Sequence, residues 1–167
     1  MLFRSTMNDL AVVYQEKKRF DDADRLFQDA LSAARVKPGP DHPLTLKIKN
    51  CLGSLRAVQG RFDEAEPLFQ EVLQSRRKTL TPDHPDTLIS MHNLGVFYRL
   101  RGQFDKAEPL LVEAVERART KLTIRHPYTR QFIENLAVLR EKQGKSDLAL
   151  ALRQELAASG SPKATEH

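Results

Sequence analysis

Three histidines recur at a single interval in the sequence and are the first candidates for metal chemistry. His42, His84 and His126 are spaced 42 residues apart, and each of them precedes a proline. Imidazole nitrogens bind zinc well, but every ligating atom must lie about 2 Å from the ion. Equally spaced copies of one helical unit pack with their axes about 8–10 Å apart. We therefore predict that the histidines belong to the starts of helices and hold no metal.

Two short groups of acidic residues could act as paired carboxylates in acid–base catalysis. They are Asp63, Glu64 and Glu66, and Asp105 and Glu108. Both groups stand where helices are expected to begin, and negative charge there is stabilised by the positive end of the helix dipole. The sequence has no nucleophile motif, no phosphate-binding glycine loop and no HExxH element. We therefore expect no catalytic residue, no enzyme activity and no cofactor.

Basic residues cluster at two places where helices are expected to end. They are Arg76, Arg77 and Lys78, and Arg117, Arg119 and Lys121. Cations at a helix C-terminus complement its dipole, so we favour this role over nucleic-acid binding. The net charge of +5, from 27 basic and 22 acidic residues, is a modest surplus that favours an acidic partner.

The composition is that of a single domain rich in helix-forming residues, with 40% apolar and 29% charged residues. Cys51 is the only cysteine, so an intramolecular disulfide cannot form. No apolar stretch reaches the length of a signal peptide or of a membrane-spanning helix. We expect a cytoplasmic protein that does not enter a membrane.

An internal repeat of 42 residues organises the whole chain. The segment Lys18–Phe27 (KRFDDADRLF) recurs as Gly60–Phe69 (GRFDEAEPLF), as Gly102–Leu111 (GQFDKAEPLL) and weakly as Gly144–Arg153 (GKSDLALALR). A step of leucine and a small residue keeps the same register at Leu10–Ala11, Leu52–Gly53, Leu94–Gly95 and Leu136–Ala137. Fixed periods of this size indicate an array of supersecondary units.

Each period contains two helices. In the first period Ala23, Phe27, Ala30 and Ala34 lie on one apolar stripe with helical spacing. Prolines of the His-Pro pairs suit first helical positions, and the glycines before each second helix suit helix ends. First helices are predicted at 3–17, 43–59, 85–101 and 127–143, and second helices at 20–35, 62–79, 104–121 and 145–158. The ring of Phe62 is expected to be wedged between two helices.

The pattern of Leu10, Ala11, Tyr14, Ala23 and Phe27 resembles the tetratricopeptide repeat. The long period and the GRFDEAEPLF and DHP blocks further resemble the kinesin-light-chain-like branch of that family. The resemblance implies an all-α fold, a right-handed α-solenoid of four antiparallel helix hairpins. It implies repeats at about 1–42, 43–84, 85–126 and 127–158. We expect a disordered tail over 159–167.

Some residues depart from the family pattern. Arg56 and Arg140 stand where Tyr14 and Tyr98 stand in the other repeats. Arg153 replaces an apolar residue of the second helix. A charge there suits a terminal repeat, whose outer face meets water, so we interpret repeat four as a C-terminal cap.

By resemblance, the first helices line a concave groove that binds extended peptides. The groove residues implied in this chain are Asn8, Val12, Lys47, Asn50, Ser54, Ile89, His92, Val96, Arg99, Gln131, Glu134 and Val138. Their amides and cations favour an acidic peptide of a partner protein, with no small-molecule substrate. Three alternatives stay open: self-association through an N-terminal edge near Leu2, Phe3 and Met7, a segment of a larger multi-repeat protein, and, less favoured, nucleic-acid binding.

Overall fold

A computed structural model describes residues 17–160 of the chain. That range contains seven helices and no strand. They are α1 (Phe20–Val36), α2 (Pro43–Val58), α3 (Phe62–Thr79), α4 (Pro85–Leu100), α5 (Phe104–Leu122), α6 (Pro127–Lys142) and α7 (Ser146–Gly160). Each predicted helix in this range is confirmed, with bounds that differ by at most two residues. The predicted helix 3–17 lies, except for its last residue, outside the described residues.

The C-terminal tail was predicted to begin at Ser159, and this position is wrong by two residues. Helix α7 continues to Gly160. Arg130 of α6 donates from Nη1 to Ser159 Oγ at 2.8 Å and to the Leu156 carbonyl at 3.2 Å. These hydrogen bonds hold the last turn of α7 against α6. Residues 161–167 lie outside the described residues.

The chain divides into two compact units, which we call unit 1 (1–80) and unit 2 (81–167). In unit 1, α1 packs against α2 and α2 against α3. In unit 2, α4 packs against α5, α5 against α6, α6 against α7, and α4 also touches α6. Consecutive helices therefore form hairpins, as predicted. The individual repeat boundaries stay predictions.

The histidines of the three His-Pro pairs cap the first helices. His42, His84 and His126 precede α2, α4 and α6, and a proline opens each helix. In each case the histidine Nδ1 accepts a hydrogen bond from the backbone N–H two residues later, at 3.2, 3.1 and 3.2 Å. An N-cap acceptor satisfies a donor that has no partner inside the helix. This observation confirms the predicted role at helix starts and gives it a chemical basis.

The turns inside the hairpins need a left-handed residue. Gly60, Gly102 and Gly144 have φ of 75°, 71° and 75°, and Lys18 takes φ of 58° at the same register. Only glycine adopts this conformation without steric cost. Backbone geometry therefore favours glycine at this register, and Lys18 adopts the same conformation at a steric cost.

The core lies along the faces where helices meet. Phe27, Phe69 and Leu111 share one register on the second helices and are 0%, 4% and 0% exposed. Phe62, expected to be wedged between helices, is only partly buried. It is the first residue of α3, one turn before the buried stripe that begins at Ala65. Among the described helices, none is both long enough and apolar enough to cross a membrane.

Candidate functional site

Helices α4 and α6 of unit 2 carry most of the groove residues that the sequence predicted. The predicted residues on these helices are Ile89, His92, Val96, Arg99, Gln131, Glu134 and Val138. Gln131 is exposed, His92 is buried, and the other five are partly buried. Since α4 and α6 touch, the structure brings the two sets into one unit. We call them the α4/α6 face.

His92 is a buried residue of this face, and its imidazole is uncharged at neutral pH. Its ring stacks on Phe132 of α6 with centroids 4.5 Å apart, and its side chain is 5% exposed. Burial lowers its pKa to about 4, against a weaker opposing effect of a hydrogen bond to Asn93. Its Nδ1 lies 3.3 Å from Asn93 Oδ1, whereas Nε2 is buried and has no hydrogen-bond partner within residues 17–160. Sequence reasoning could not find this burial, because Phe132 belongs to another helix.

Arg99 is the charged group of the face. Its Nη2 donates to Asn135 Oδ1 of α6 at 3.3 Å, and its Nε is buried without a partner in the part of the chain that the structure describes. Burial lowers the pKa of its guanidinium. Asn135 was not among the predicted residues. Its signal is the recurrence of asparagine one period after Asn93.

Four other arginines of unit 2 differ from Arg99 because they meet carboxylates. Arg117 pairs with Asp83 at 2.8 Å, and Arg119 pairs with Glu155. Arg140 pairs with Glu108, and Arg153 pairs with both Glu134 and Glu141. For Arg99, the described residues supply an amide and no carboxylate. Its charge is therefore partly desolvated and has no carboxylate beside it among the described residues, a state that costs free energy until an anion is supplied.

Glu134 is less available to a ligand than the sequence suggested. Its Oε1 lies 3.0 Å from Nη2 of Arg153 on α7. Val96 and Val138 add apolar surface to the face, and Gln131 adds an exposed amide. With Glu134 paired to Arg153, the groups of the face that remain available to a ligand are the Arg99 guanidinium and side-chain amides.

The remaining predicted groove residues belong to unit 1 or lie outside the described range. Lys47, Asn50 and Ser54 follow one another on α2, with Lys47 exposed and the other two partly buried. Ser54 Oγ donates to the Asn50 carbonyl at 3.1 Å, which turns this hydroxyl toward its own helix. Asn8 and Val12 lie outside the described residues.

The acidic clusters that could have formed a catalytic or metal site have structural roles at helix starts. Asp63 and Glu64 occupy the first turn of α3 and Asp105 that of α5, as predicted from the helix dipole. Hydrogen bonding by Arg61 lowers the pKa of Glu64. Within residues 17–160, no group of three His, Cys, Asp or Glu side chains could hold a metal ion.

The basic cluster of unit 2 is largely neutralised by carboxylates. Arg117 and Lys121 both meet Asp83, at 2.8 and 3.5 Å. Arg119 meets Glu155.

Comparison with known proteins identifies the family. The Tetratricopeptide repeat family model matches residues 2–50, 45–120 and 93–158. The chain belongs to the tetratricopeptide-repeat family. No curated protein sequence matches it.

Solved structures of tetratricopeptide-repeat proteins have the same fold. One is from Podosopora anserina and is described as a kinesin light chain with nearly identical TPR-like repeats; it is 25% identical over 95% of this chain and 77% of its own, with a TM-score of 0.85. Another is BtubC (BKLC) from P. vanneervenii, which is 20% identical over 99% of this chain and 68% of its own, with a TM-score of 0.82. The likeness supports a kinesin-light-chain-like tetratricopeptide-repeat array, an all-α solenoid of helical hairpins, and a general role in protein interaction.

Proposed function

We propose that the α4/α6 face binds an extended, acidic peptide segment of a partner protein. The observation that carries the proposal is Arg99, whose guanidinium is partly buried, has no carboxylate among the described residues and lies beside Asn135. An acidic side chain or a terminal carboxylate would supply the missing counter-charge through charge-assisted hydrogen bonds. Tetratricopeptide-repeat proteins are typically scaffolds, and the proposal assigns this chain a binding role and no reaction.

The rest of the face suits an extended backbone. Side-chain amides can donate to a peptide carbonyl and accept from a peptide N–H, which Gln131 and Asn135 would do here. Val96 and Val138 offer apolar surface between them for small side chains. Recognition of this kind requires a peptide that is acidic and extended, and it does not require a long sequence motif.

Unit 1 offers a second contact that can be tested separately. Lys47, Asn50 and Ser54 stand one period before Ile89, His92 and Val96. Lys47 would add positive charge and Asn50 a hydrogen-bonding amide. We propose that they contribute to binding of the same kind of peptide, in a cytoplasmic setting.

The first experiment measures the affinity of the intact chain for fluorescent peptides by anisotropy. Acidic peptides captured from a random library are compared with copies in which each Asp or Glu is replaced by Asn or Gln. Truncating a partly buried charged contact costs about 1–2 kcal/mol, between the values for exposed and for charge-assisted pairs. Arg99→Gln should therefore weaken binding of the acidic peptide roughly five- to thirty-fold, and should leave binding of its amide copy unchanged.

The matched control is Arg125→Gln, which removes the same charge from an exposed arginine of unit 2 that is not on the face. It should change affinity by less than about two-fold, because exposed charges act through screened, long-range attraction. A separate double variant, Lys47→Gln with Asn50→Ala, tests the contact of unit 1 independently of Arg99→Gln. An unchanged affinity in folded Arg99→Gln, or an equal loss in Arg125→Gln, would remove the α4/α6 face from consideration.

The self-association alternative is separable by concentration-dependent mass measurement. Its candidate surface near Leu2, Phe3 and Met7 lies outside the described residues. Monomeric mass at all concentrations, together with saturable peptide binding, would favour the groove proposal. Binding to nucleic acid would instead fall steeply as salt is raised.

A further inference from the structure

A row of three stacked rings joins α4 and α6 of unit 2 and ends at Tyr128. His92 of α4 stacks on Phe132 of α6 with ring centroids 4.5 Å apart. Phe132 in turn stacks on Tyr128, with centroids 6.2 Å and ring planes 13° apart. His92 and Phe132 are buried, whereas Tyr128 is 42% exposed. Of these three rings, Tyr128 is therefore the one that offers surface to another molecule.

The Tyr128 side chain is positioned by its neighbours and keeps an available hydroxyl. Tyr128 is the second residue of α6, and its backbone N–H donates to the capping His126 Nδ1 at 3.2 Å. The His126 and Tyr128 ring centroids lie 5.4 Å apart. Within residues 17–160, the Tyr128 hydroxyl makes no hydrogen bond. It can therefore donate to a carbonyl of a ligand.

Tyr128 lies on the same side of α6 as Asn135, which accepts a hydrogen bond from Arg99. The two residues are seven positions apart in the sequence. They therefore lie within about 20° of each other around the helix and about 10 Å apart along its axis. The exposed Gln131 stands between them on this side. A peptide whose carboxylate meets Arg99 can thus reach the Tyr128 ring along a single side of α6.

This separation favours one extended peptide conformation. In a polyproline II helix every third residue points the same way, and such residues lie about 9 Å apart along the axis. In a β-strand, side chains on one face lie about 7 Å or about 13 Å apart. The polyproline II spacing therefore matches the distance between Asn135 and Tyr128 more closely than the spacing of a β-strand does.

A proline is the side chain that suits this position. Phe132 and His92 behind Tyr128 are buried and stacked, so the contact on offer is the surface of one ring. The pyrrolidine ring is compact, its φ already fits the polyproline II helix, and its nitrogen has no hydrogen that would need a partner. Aromatic surfaces bind such segments at a low cost in conformational entropy, because the conformation is already populated in the free peptide.

We infer that the peptide bound by the α4/α6 face carries a proline three residues from its acidic residue, and that Tyr128 contacts this proline. The inference rests on the proposed function, because Arg99 is the anchor from which the spacing is measured. It adds the N-terminal end of α6 to the binding surface and makes Tyr128 a residue that determines specificity. The partner segment is then acidic, proline-containing and in the polyproline II conformation.

The experiment titrates the full-length, isotope-labelled chain with defined peptides and follows amide chemical shifts. The probes are nonapeptides of alanine, serine and glycine that carry one glutamate and one proline three residues apart, in either order. Copies have alanine or phenylalanine in place of proline, proline next to the glutamate, or glutamine in place of the glutamate. One order should bind about two- to ten-fold tighter than its alanine copy, the range for a single aromatic contact. The phenylalanine copy and the copy with adjacent proline should lose this gain.

Variants of the chain assign the gain to the Tyr128 ring. Tyr128→Ala should abolish the preference for the correctly spaced proline, and Tyr128→Phe should keep most of it. Leu148→Ala is the matched control, since it removes an exposed apolar side chain of α7, and it should change nothing. If Tyr128→Ala does not fold, the proton shifts of the peptide proline decide, because a ring contact should move them upfield only at the correct spacing.

The outcomes separate this inference from the proposed function. Equal binding of the proline and alanine copies, tighter binding of the phenylalanine copy, or a preference that survives in folded Tyr128→Ala would overturn the inference. The proposed function would still stand if Arg99→Gln weakened binding of the glutamate probes. Binding that responds neither to Arg99→Gln nor to the glutamine copy would refute the proposed function itself. An absence of saturable shifts with every probe would count against both.

Discussion

The glycine of the Leu-Gly step offers a sharp test of how the hairpins pack. A Cβ added at Gly95 would lie 2.7 Å from Leu111 Cγ, 2.8 Å from Leu111 Cδ2 and 3.4 Å from the Ala107 carbonyl oxygen. Carbon atoms in favourable contact are about 3.5–4.0 Å apart. Leu111 is 0% exposed, so it must move within a filled core. Gly95→Ala therefore sets a steric cost against a gain in helix propensity.

The two effects have comparable sizes. Overpacking a core costs about 1–3 kcal/mol, and exchanging glycine for alanine inside a helix gains about 1 kcal/mol. We expect the free energy of unfolding to fall by about 0–2 kcal/mol. Because this range includes zero, the single variant does not decide the matter.

A double-mutant cycle with Leu111→Ala does decide it. Leu111→Ala alone should cost about 2–5 kcal/mol. It also removes Cγ and both Cδ atoms, so Gly95→Ala in that background should stabilise by about 1 kcal/mol. The two substitutions should then be coupled by about 1–3 kcal/mol, measured by urea unfolding with far-ultraviolet circular dichroism. Effects that add to within about 0.5 kcal/mol would refute the close contact.

Gly53→Ala is the internal comparison, because a Cβ there would lie 3.2 Å from Phe69 Cζ. The ring need shift by only a few tenths of an ångström, so this variant should be less destabilised than Gly95→Ala. Ala137 occupies the same register in the last repeat. The residue that corresponds there to Phe69 and Leu111 is Arg153, which pairs with Glu134 and Glu141.

Four further outcomes follow from the structure. Phe69→Ala should lower the free energy of unfolding by about 3–5 kcal/mol and Phe62→Ala by only about 1–2 kcal/mol, because only the first ring is fully buried; equal losses in chemical denaturation would contradict this burial. Lys18→Gly should raise the free energy of unfolding by about 0.5–1 kcal/mol, since relief of left-handed backbone strain exceeds the entropy that glycine adds to the unfolded chain. A lower thermal midpoint in this variant would contradict the expectation. His84→Ala should lower the free energy of unfolding by about 1 kcal/mol through loss of the N-cap, and unchanged stability in urea would show that the cap contributes nothing. The pKa of Glu108 is held below its usual value of 4.5, chiefly by the Gln143 hydrogen bond. The stabilisation that ionised Glu108 gives to the fold is therefore present above pH 4.5 and is lost as the pH falls through the lower pKa of the folded state. Glu108→Gln should make the free energy of unfolding depend less on pH in this acidic range, and an identical acid transition would contradict the assignment.

The helices could be predicted from the sequence because their signals are local. Proline at the first position, glycine at φ near 75° and the apolar stripe all act within a few residues of the feature that they determine. The N-capping histidines were placed at helix starts for the same reason. Ser159 was misplaced because Arg130, which holds it, lies on a different helix.

The candidate face could be predicted only in part. The family resemblance together with the register assigned Val96, Val138 and Arg99 to first helices, and the structure shows that these helices touch. The burial that lowers the pKa of His92 includes its stacking on Phe132, and the engagement of Glu134 depends on Arg153. Each of these effects comes from a side chain 19 or 40 residues away in sequence, on another helix. Periodicity therefore gives the position of a residue on a face, and packing between helices decides its charge and availability.

The arginines that depart from the family pattern have a common explanation in such packing. Arg56 meets Asp24 at 3.3 Å across α1 and α2, and Arg140 meets Glu108 across α5 and α6. Both pairs join the second helix of one repeat to the first helix of the next, and each partner recurs after two periods. Asp24 is only 8% exposed, so its carboxylate would be costly without the guanidinium beside it. Tyrosine at this position offers no positive charge, whereas both arginines pair with a carboxylate of the preceding helix.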